Sequence, residues 1–193
     1  MIKNTALRAA LLLIVMTLLL GLIYPLTVTG VAQILFHNKA NGSMIVKNGK
    51  IIGSKLIGQN FKNPAYFHGR PSAAGKDGYD ATASSGSNLG PTNKALIDDA
   101  KKLSEQVRKE NEIPENQPVP SDLITSSASG LDPDISIDAA YVQIPRIAKI
   151  RGISEGKLKE LVNSHITGRQ FGILGEKRVN VLMLNTALDD LKK

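Results

Sequence analysis

Two residues with the spacing found in serine acylases are the first candidates for chemistry in this sequence. Ser154 and Lys157 form an S-x-x-K pattern, in which the serine is the nucleophile. The S-D-N and K-T-G motifs that accompany this pattern in such enzymes do not occur in the sequence. A serine that precedes a helix also accepts hydrogen bonds from the first free backbone N–H groups. The sequence therefore favours a structural, helix-capping role for Ser154.

A second candidate is a segment that begins like a calcium-binding loop. Oxygen-bearing side chains alternate along it: Asp132, Asp134, Ser136 and Asp138. A calcium loop of this kind requires glycine at its sixth position and glutamate at its twelfth. Ile137 and Gln143 occupy these positions. The pattern therefore does not predict a calcium site.

A third candidate is the segment 86–90 (GSNLG), which leads into a predicted helix. Free backbone N–H groups at the start of a helix can hold a phosphate group. The segment lacks the Gly-Lys-Ser/Thr sequence of a phosphate-binding loop, so a turn followed by a helix cap is the favoured interpretation.

The remaining reactive residue types do not form a constellation. The histidines, His37, His68 and His165, lie far apart and have no acidic partner at ligand spacing. The absence of cysteine excludes thiol catalysis and cysteine metal sites. No catalytic triad or carboxylate pair is recognisable. We therefore expect that the chain is not an enzyme by itself and that it holds no metal or cofactor firmly.

The charge balance gives little support to nucleic acid as a partner. The chain has 24 Lys and Arg against 17 Asp and Glu, a formal net charge of +7. Nucleic-acid binding requires a basic surface interleaved with aromatic residues. The four Phe and four Tyr are scattered, and there is no Trp. We exclude nucleic-acid binding on this basis.

The elements that position these residues begin with a long apolar segment. No charged residue occurs from Ala9 to Asn38. A helix over this stretch is roughly 45 Å long, which exceeds the bilayer core of about 30 Å. The sequence predicts a transmembrane helix over residues 9–36, after a short tail over residues 1–8. Residues 39–193 are predicted to form one further domain.

A cleaved secretory signal is the alternative for this segment. A basic leader precedes the apolar core, and residues 30–32 (GVA) resemble a cleavage site. The apolar character continues to Phe36, further than a signal core requires. Gly21 and Pro25 are expected to kink a membrane helix without ending it, which indicates a helix packed against others.

Charge alone leaves the orientation of the helix open. Lys3 and Arg8 precede the apolar segment, and Lys39, Lys47 and Lys50 follow it closely. The excess of basic residues in cytoplasmic loops is therefore nearly balanced, and long domains cross the membrane largely regardless of charge.

The first elements after the apolar segment are a hairpin, a long loop and a helix. Asn48 and Gly49 lie between two apolar runs and predict a tight turn in a β-hairpin over residues 44–57. Residues 60–93 are rich in Gly, Ser, Ala, Asn and Pro, which is typical of a functional loop or of disorder. Apolar residues at helical spacing predict a helix over residues 92–112.

The last third of the chain predicts short helices and one strand. Asp132 and Pro133 resemble the start of a helix, and Pro145 is expected to break or kink it. A further helix begins at Ser154. Residues 178–185 alternate like a strand and precede a short terminal helix. The predicted fold class is α+β, with one N-terminal transmembrane helix followed by a single soluble domain that has a small β-sheet and three or four helices.

Beyond these patterns, a set of unusual strings occurs in a fixed order along the whole chain. They are residues 29–33 (TGVAQ), 53–61 (GSKLIGQNF), 66–72 (YFHGRPS), 85–93 (SGSNLGPTN), 129–136 (SGLDPDIS) and 174–182 (LGEKRVNVL). In combination they closely resemble the KdpC family, the small C subunit of the bacterial Kdp potassium-transporting P-type ATPase.

The resemblance implies a single-pass protein of the bacterial cell membrane whose tail over residues 1–8 is cytoplasmic and whose C-terminal domain, residues 39–193, is extracytoplasmic. Its partners are then membrane lipid, a pump subunit that hydrolyses ATP, a channel-like subunit that selects K⁺ and a small hydrophobic subunit. ATP and K⁺ are used by that complex and are not bound firmly by this chain.

Three functions remain open at this point. The leading hypothesis is a non-catalytic accessory subunit that stabilises the complex and covers its outer K⁺ entrance. The alternative is a catalytic chaperone that raises the ATP affinity of the pump subunit in a ternary complex with ATP, with Gln143 as the first residue to test for nucleotide binding. The third is a secreted or periplasmic binding module cleaved after Ala32.

Four residues are predicted to contact partners. Phe67, His68 and Arg70 lie in a bulky island of the long loop and are expected to contact the outer face of the channel-like subunit. The alternative is that this island is an internal turn. Gly30 is expected to allow close helix packing in the membrane.

Overall fold

The computed structural model describes residues 2–191. They fall into two compact units, with the boundary between Ile52 and Gly53. The first unit contains the apolar helix, and the second contains the core of the predicted α+β domain.

The first unit begins with a helix that runs for 33 residues, Lys3–Leu35, and is long and apolar enough to cross a membrane. It consists of α1 (Ile2–Leu18), a π-helical turn (Leu19–Ile23) and α2 (Tyr24–Leu35). None of its described side chains is buried within the chain. The helix is therefore the candidate membrane span that the sequence predicts.

The π-helical turn lies one turn before Pro25. Proline has no N–H, and its ring clashes with the carbonyl group four residues earlier, here that of Gly21. The N–H of Tyr24 donates instead to the carbonyl of Leu19, five residues back. The helix continues past Gly21 and Pro25, as predicted, and the irregularity that the structure shows there is a π-helical turn.

A short helix, α3 (His37–Ala40), leads to the predicted hairpin of β1 (Met44–Lys47) and β2 (Lys50–Ser54). At the turn, Asn48 has φ 51° and Gly49 has φ 76°. Positive φ at both central residues gives the twist that a two-residue hairpin requires. The predicted hairpin is confirmed, although its second strand ends at Ser54.

The second unit packs short helices around a three-stranded sheet. Its elements are α4 (Lys94–Glu110), a 3₁₀ turn (Ser121–Leu123), β3 (Asp134–Ile135), α5 (Ile137–Tyr141), α6 (Ile144–Arg151), α7 (Glu155–Ser164), β4 (Ile166–Thr167), β5 (Arg178–Asn180) and α8 (Val181–Asp190). β5 is the central strand and pairs antiparallel with both β3 and β4. The predicted α+β class is confirmed.

The core lies between the sheet and the last helices. Val179 of β5 is buried, and so are Val181, Leu184 and Leu188, which recur at helical spacing along α8. Leu158 of α7 packs in the same cluster. Helices α5 to α8 thus contribute to one apolar core together with the sheet.

The predicted strand over residues 178–185 is wrong beyond Asn180. The alternation of apolar residues continues there, but the Asn180 side chain accepts a hydrogen bond from the N–H of Met183 at 3.1 Å and caps a helix. Asn180 also donates to the carbonyl of Lys55 and to Asp134. The cap therefore ends the strand and starts α8 at the same residue.

The predicted helix start at Asp132 and Pro133 is also wrong. The Asp132 carboxylate accepts from the N–H of Asp134 at 3.0 Å, which forms a turn that leads into β3. The helix begins after Ser136, whose hydroxyl oxygen accepts from the N–H of Ala139. Capping by Ser136 replaces the expected capping by Asp132.

The predictions for Pro145 and for the helix over residues 92–112 agree more closely with the structure. The chain is broken near Pro145 into α5 and α6, as predicted, so the second unit has helices α4 to α8, one more than the upper sequence estimate. α4 begins after Asn93, whose side chain accepts from the N–H of Ala95 at 2.9 Å. This helix is confirmed to within two residues at each end.

Residues 60–93 contain neither helix nor strand, and they are all described. Hydrogen bonds order this long loop. The Ser72 hydroxyl donates to the carbonyl of Gly130 at 2.6 Å and accepts from the N–H of Tyr79 at 2.7 Å. The Tyr79 hydroxyl donates to the carbonyl of Arg70 at 2.6 Å. The loop is therefore fastened to the rest of the second unit.

We predict that Gly130→Ala destabilises the chain by more than about 2 kcal/mol. Gly130 has φ 66°, and a Cβ there would lie 2.5 Å from the carbonyl oxygen of Ser85 and 2.7 Å from the nitrogen of Ala74. Gly156→Ala is the matched control, because a Cβ at that position meets nothing within 4 Å. Thermal unfolding of the full chain in detergent measures both, and equal midpoints for the two variants would contradict the close approach at Gly130.

Candidate functional site

A cleft of about 690 Å³ lies between α4 and the long loop in the second unit. Its polar lining includes His68 and Arg70 from the loop, Glu110 from α4 and Gln143 from the turn between α5 and α6. Three of the residues that the sequence singles out therefore meet in one place. Gly30 belongs to the first unit and is not part of this cleft.

Gln143 is buried at the base of the cleft, and its carboxamide is fully engaged. Its Oε1 accepts from the N–H of His68 at 2.7 Å and from Nη2 of Arg146 at 2.8 Å. Its Nε2 donates to the carbonyls of His68 at 3.2 Å and Ala139 at 3.0 Å. A carboxamide has two donors and two principal acceptor positions. Gln143 thus joins the long loop to α5 and α6.

Asn185 of α8 holds the neighbouring residue of the loop in the same way. Its Oδ1 accepts from the N–H of Phe67 at 2.9 Å, and its Nδ2 donates to the carbonyl of Phe67 at 2.9 Å. We call Gln143 and Asn185 the amide clamp, because together they pair both backbone groups of Phe67 and His68. Sequence reasoning does not find Asn185, although a lone amide in the apolar run of α8 is a signal for a buried polar contact.

The prediction that Phe67 contacts a partner is not compatible with the structure. The Phe67 side chain is completely buried in the core cluster. The amide clamp fixes its backbone with the ring directed inward. The Phe67 side chain therefore offers no surface to a partner.

His68 lies partly exposed on the wall of the cleft. Its Nδ1 is 3.4 Å from Oε1 of Glu110, and its Nε2 is 3.2 Å from the carbonyl of Asn63. Burial lowers the pKa of the imidazole below its usual value, and Arg146 lowers it further, while Glu110 acts in the opposite direction. The cleft therefore favours a neutral imidazole at His68.

Arg146 supplies the buried positive charge behind His68. Its Nε donates to Asn111 at 2.9 Å and lies 3.8 Å from Glu110, and its guanidinium also donates to the carbonyl of Pro64. A buried charge requires such a set of partners. Neither Arg146 nor Glu110 was singled out from the sequence, because their pairing depends on contacts between distant segments.

Arg70 is also partly exposed and bridges the long loop to a neighbouring segment. Its Nη1 donates to Asp132 at 3.1 Å, and its Nη2 donates to the carbonyls of Thr125 and Ser126. Burial raises the pKa of the adjacent Tyr79 hydroxyl to about 12, so this group remains a hydrogen-bond donor to the Arg70 carbonyl. His68 and Arg70 keep some surface for a partner, but both already serve the fold.

The contacts around the cleft are better explained by holding the long loop in place than by catalysing a reaction. Within residues 2–191, no group of three or more metal-ligating side chains is placed to hold a metal ion. The acylase candidate Ser154 caps α7 by accepting from the N–H of Lys157. Nucleotide binding at Gln143 would require that residue to give up hydrogen bonds that hold the loop.

We predict that Gln143→Ala lowers the free energy of unfolding by roughly 2–4 kcal/mol, because it leaves buried partners on His68 and Arg146 unpaired. Gln106→Ala is the control, because this exposed residue of α4 lines the same cleft. Urea unfolding of the full chain in detergent measures both variants. A Gln143→Ala variant as stable as Gln106→Ala would show that the clamp carries little of the fold.

Comparison with known proteins gives consistent matches over nearly the whole chain. The family model described as K⁺-transporting ATPase, c chain (KdpC) matches residues 6–190. The "Potassium-transporting ATPase KdpC subunit" of Koribacter versatilis is 52% identical over 187 residues, which is 97% of this chain and 95% of that protein. The protein of the same name from Bradyrhizobium diazoefficiens is 53% identical over 192 residues, which is 94% of this chain and 94% of that protein. The one from Acidobacterium capsulatum is 54% identical over 185 residues, which is 95% of this chain and 96% of that protein. This chain therefore belongs to the KdpC family, a subunit of the potassium-transporting ATPase that is distinct from its catalytic pump.

Proposed function

We propose that this chain is a non-catalytic accessory subunit of an ATP-driven potassium import complex in the bacterial cell membrane. It stabilises the assembly through its N-terminal helix and covers the outer K⁺ entrance with its second unit, on the extracytoplasmic side. Its partners are the pump, channel-like and small hydrophobic subunits, together with lipid. The single observation that carries the proposal is the apolar helix Lys3–Leu35, whose surface the rest of the described chain leaves uncovered.

The helix carries a cluster of small residues suited to close packing. They are Gly21, Thr27, Thr29, Gly30 and Ala32. A Cβ at Gly30 would meet nothing within 4 Å, so the described chain itself has no steric need for glycine there. Glycine inside a helix costs about 0.5–1 kcal/mol relative to alanine. Close approach by a partner helix gives a physical reason for it.

The second unit supports a role that depends on shape. Its polar groups at the cleft are engaged in fastening the long loop, as the four hydrogen bonds of Gln143 illustrate. A fastened loop presents a fixed surface, which suits a subunit that covers the entrance of another protein. We propose that neither ATP nor K⁺ is bound firmly by this chain and that both are used by the complex.

The alternative, a chaperone that raises the ATP affinity of the pump, has weaker support. An extracytoplasmic domain and a cytoplasmic nucleotide site are separated by about 30 Å of hydrocarbon. Gln143, the first residue to test for nucleotide contact, has its carboxamide fully paired. An effect on ATP affinity would therefore require coupling through the complex, with different contacts in two states.

We predict that Gly30→Leu lowers the recovery of the pump and channel-like subunits with this chain roughly tenfold, because a leucine side chain blocks close helix approach. The open space around Gly30 means that the substitution does not disturb the described helix itself. Affinity purification of the complex from membranes, with the full chain as the tagged subunit, measures the recovery. Ala9→Leu is the control on the same helix.

Normal recovery with Gly30→Leu would contradict a packed helix. Protease added outside intact spheroplasts of the same cells checks the orientation. We expect it to digest the second unit and to leave a membrane-bound fragment that begins at the original N terminus. A protected second unit, or a mature N terminus after Ala32, would contradict the proposed membrane arrangement.

A further inference from the structure

The β-hairpin that follows the apolar helix exposes one apolar face. Its two-residue turn places Val46 opposite Ile51, and Met44 lies two positions before Val46, so the three side chains share one face of the two strands. Met44 is 53% exposed, Val46 is 60% exposed and Ile51 is 68% exposed. We call these three residues the hairpin face. A two-stranded hairpin is only marginally stable alone, so an apolar face exposed on it indicates an interaction surface.

Side-chain hydrogen bonds hold the start of the hairpin next to the end of the apolar helix. Nδ2 of Asn41 donates to Oε1 of Gln33 at 3.1 Å, and Nε2 of Gln33 donates to Oδ1 of Asn41 at 3.2 Å. Gln33 belongs to the last turn of α2. Met44 follows Asn41 by three residues, and an extended chain advances at most about 3.6 Å per residue, so the two lie within roughly 11 Å of each other. The hairpin therefore starts beside the helix end.

The connection between α3 and the hairpin has a defined conformation. The N–H of Gly42 donates to the carbonyl of Lys39 at 3.1 Å, and the N–H of Ser43 donates to the carbonyl of Asn38 at 2.8 Å. These two bonds form a Schellman motif, which ends a helix with a residue at positive φ, here 80° at Gly42. β1 begins at the next residue, Met44. The direction in which the hairpin leaves the helix end is therefore fixed.

The helix end that holds the hairpin lies at the edge of the bilayer when the helix spans the membrane, as proposed above. About 20 residues cross a hydrocarbon core of about 30 Å. The uncharged segment over residues 9–36 is longer than this, so its last turn, with Gln33, reaches the headgroup region. Because Gln33 pairs with Asn41, the hairpin is held at the same level. The chain itself thus places the hairpin face at the membrane surface.

The charges of this region favour anionic lipid. No Asp or Glu occurs in the sequence before Asp77, so the charged residues of the hairpin and of its flanking segments are all basic. They are Lys39, Lys47, Lys50 and Lys55. Anionic headgroups attract lysines that lie within a Debye length, about 10 Å at 0.1 M salt, so these lysines need not share a face with the apolar side chains. Apolar residues beside lysines are typical of segments that lie in the membrane interface.

We infer that the hairpin face docks on the anionic phospholipid of the bilayer that the helix spans. The helix already holds the chain at the bilayer, so the hairpin adds a second contact to an existing one and needs no large interface of its own. Lipid also supplies apolar and negatively charged groups at the same level, which matches the composition of the hairpin. This inference rests on the part of the proposed function that places the helix in the membrane.

Tryptophan fluorescence of the full chain tests this contact, because the chain has no Trp of its own. Val46→Trp places one fluorophore on the hairpin face, and tryptophan is well tolerated in strands. The chain is reconstituted in nanodiscs whose lipids carry brominated acyl chains, which quench a nearby tryptophan. We expect quenching roughly twofold stronger in phosphatidylglycerol than in phosphatidylcholine. Equal quenching in the two lipids, or none in either, would overturn the inference.

A charge variant tests the role of the lysines. In the Val46→Trp chain, the triple change Lys39→Gln, Lys47→Gln and Lys50→Gln is expected to lower quenching in phosphatidylglycerol to the level in phosphatidylcholine, because the attraction to the headgroups is lost. The matched control alters the net charge equally by changing three exposed lysines of α4, and we expect it to leave quenching unchanged. Its substitutions are Lys101→Gln, Lys102→Gln and Lys109→Gln. An equal loss in both variants would make overall charge the cause and would overturn the inference.

A tryptophan within the helix separates this inference from the proposed function. Leu22→Trp lies in the middle of the apolar segment and is expected to be strongly quenched in both lipids. Strong quenching there, with none at Val46→Trp, leaves the membrane helix in place and overturns docking by the hairpin face alone. An unquenched Leu22→Trp would overturn the proposed membrane arrangement and this inference with it.

Photocrosslinking in the assembled complex tests a protein as the competing occupant. The photoreactive amino acid p-benzoylphenylalanine replaces Val46 in the full chain, which is co-expressed with the other subunits, and the membranes are irradiated. We expect lipid adducts, detected as an increase in the mass of the chain. A crosslink to another subunit or to a second copy of this chain, without lipid adducts, would overturn the inference.

Discussion

The structure of the second unit depends on two buried carboxamides that pair the backbone of Phe67 and His68. Gln143 comes from the turn between α5 and α6, and Asn185 comes from α8. Each hydrogen bond contributes only about 1 kcal/mol net, but a buried backbone group without a partner costs about 1–3 kcal/mol. The loss of either carboxamide therefore leaves several groups unsatisfied at once. Because the cost of an unpaired buried group exceeds the gain from one hydrogen bond, the amide clamp fixes the backbone of the loop at Phe67 and His68.

The clamp explains how a segment rich in Gly, Ser and Pro becomes ordered without helix or strand. It directs the Phe67 ring into the core, where apolar burial adds to the hydrogen bonds. It also places His68 beside Glu110 and in front of Arg146, which creates the polar wall of the cleft. The cleft is therefore a consequence of the contacts that hold the loop in place.

The two units differ in where their apolar surface goes. The second unit buries its apolar residues within itself, whereas the helix Lys3–Leu35, the candidate membrane span, has no side chain buried within the described chain. The π-helical turn before Pro25 is tolerated in such a helix because neighbouring helices can satisfy the altered backbone.

Elements whose cause is local could be predicted from the sequence. Asn48 and Gly49 require positive φ and produce the hairpin, and Pro145 cannot continue a helix. The strand over residues 178–185 could not be delimited, because its alternation also fits a helix and a side-chain cap at Asn180 decided between them.

The site itself was less predictable, because long-range contacts determine which polar residues are free. Gln143 and His68 are 75 positions apart, and Asn185 and Phe67 are 118 positions apart. Because Phe67 lies in a Gly- and Pro-rich loop, its sequence context predicts an exposed side chain. In the structure, this side chain is completely buried. Family resemblance could identify the protein as a KdpC subunit without indicating these roles.

Amide hydrogen exchange of the full chain in detergent tests the amide clamp most directly. The N–H groups of Phe67 and His68 are predicted to exchange as slowly as those of α8, because each donates to a buried side-chain oxygen. Exposed amides elsewhere in the same loop, such as that of Ser87, are predicted to exchange much faster. Exchange at Phe67 and His68 as fast as at Ser87 would contradict the claim that two buried carboxamides fasten the loop.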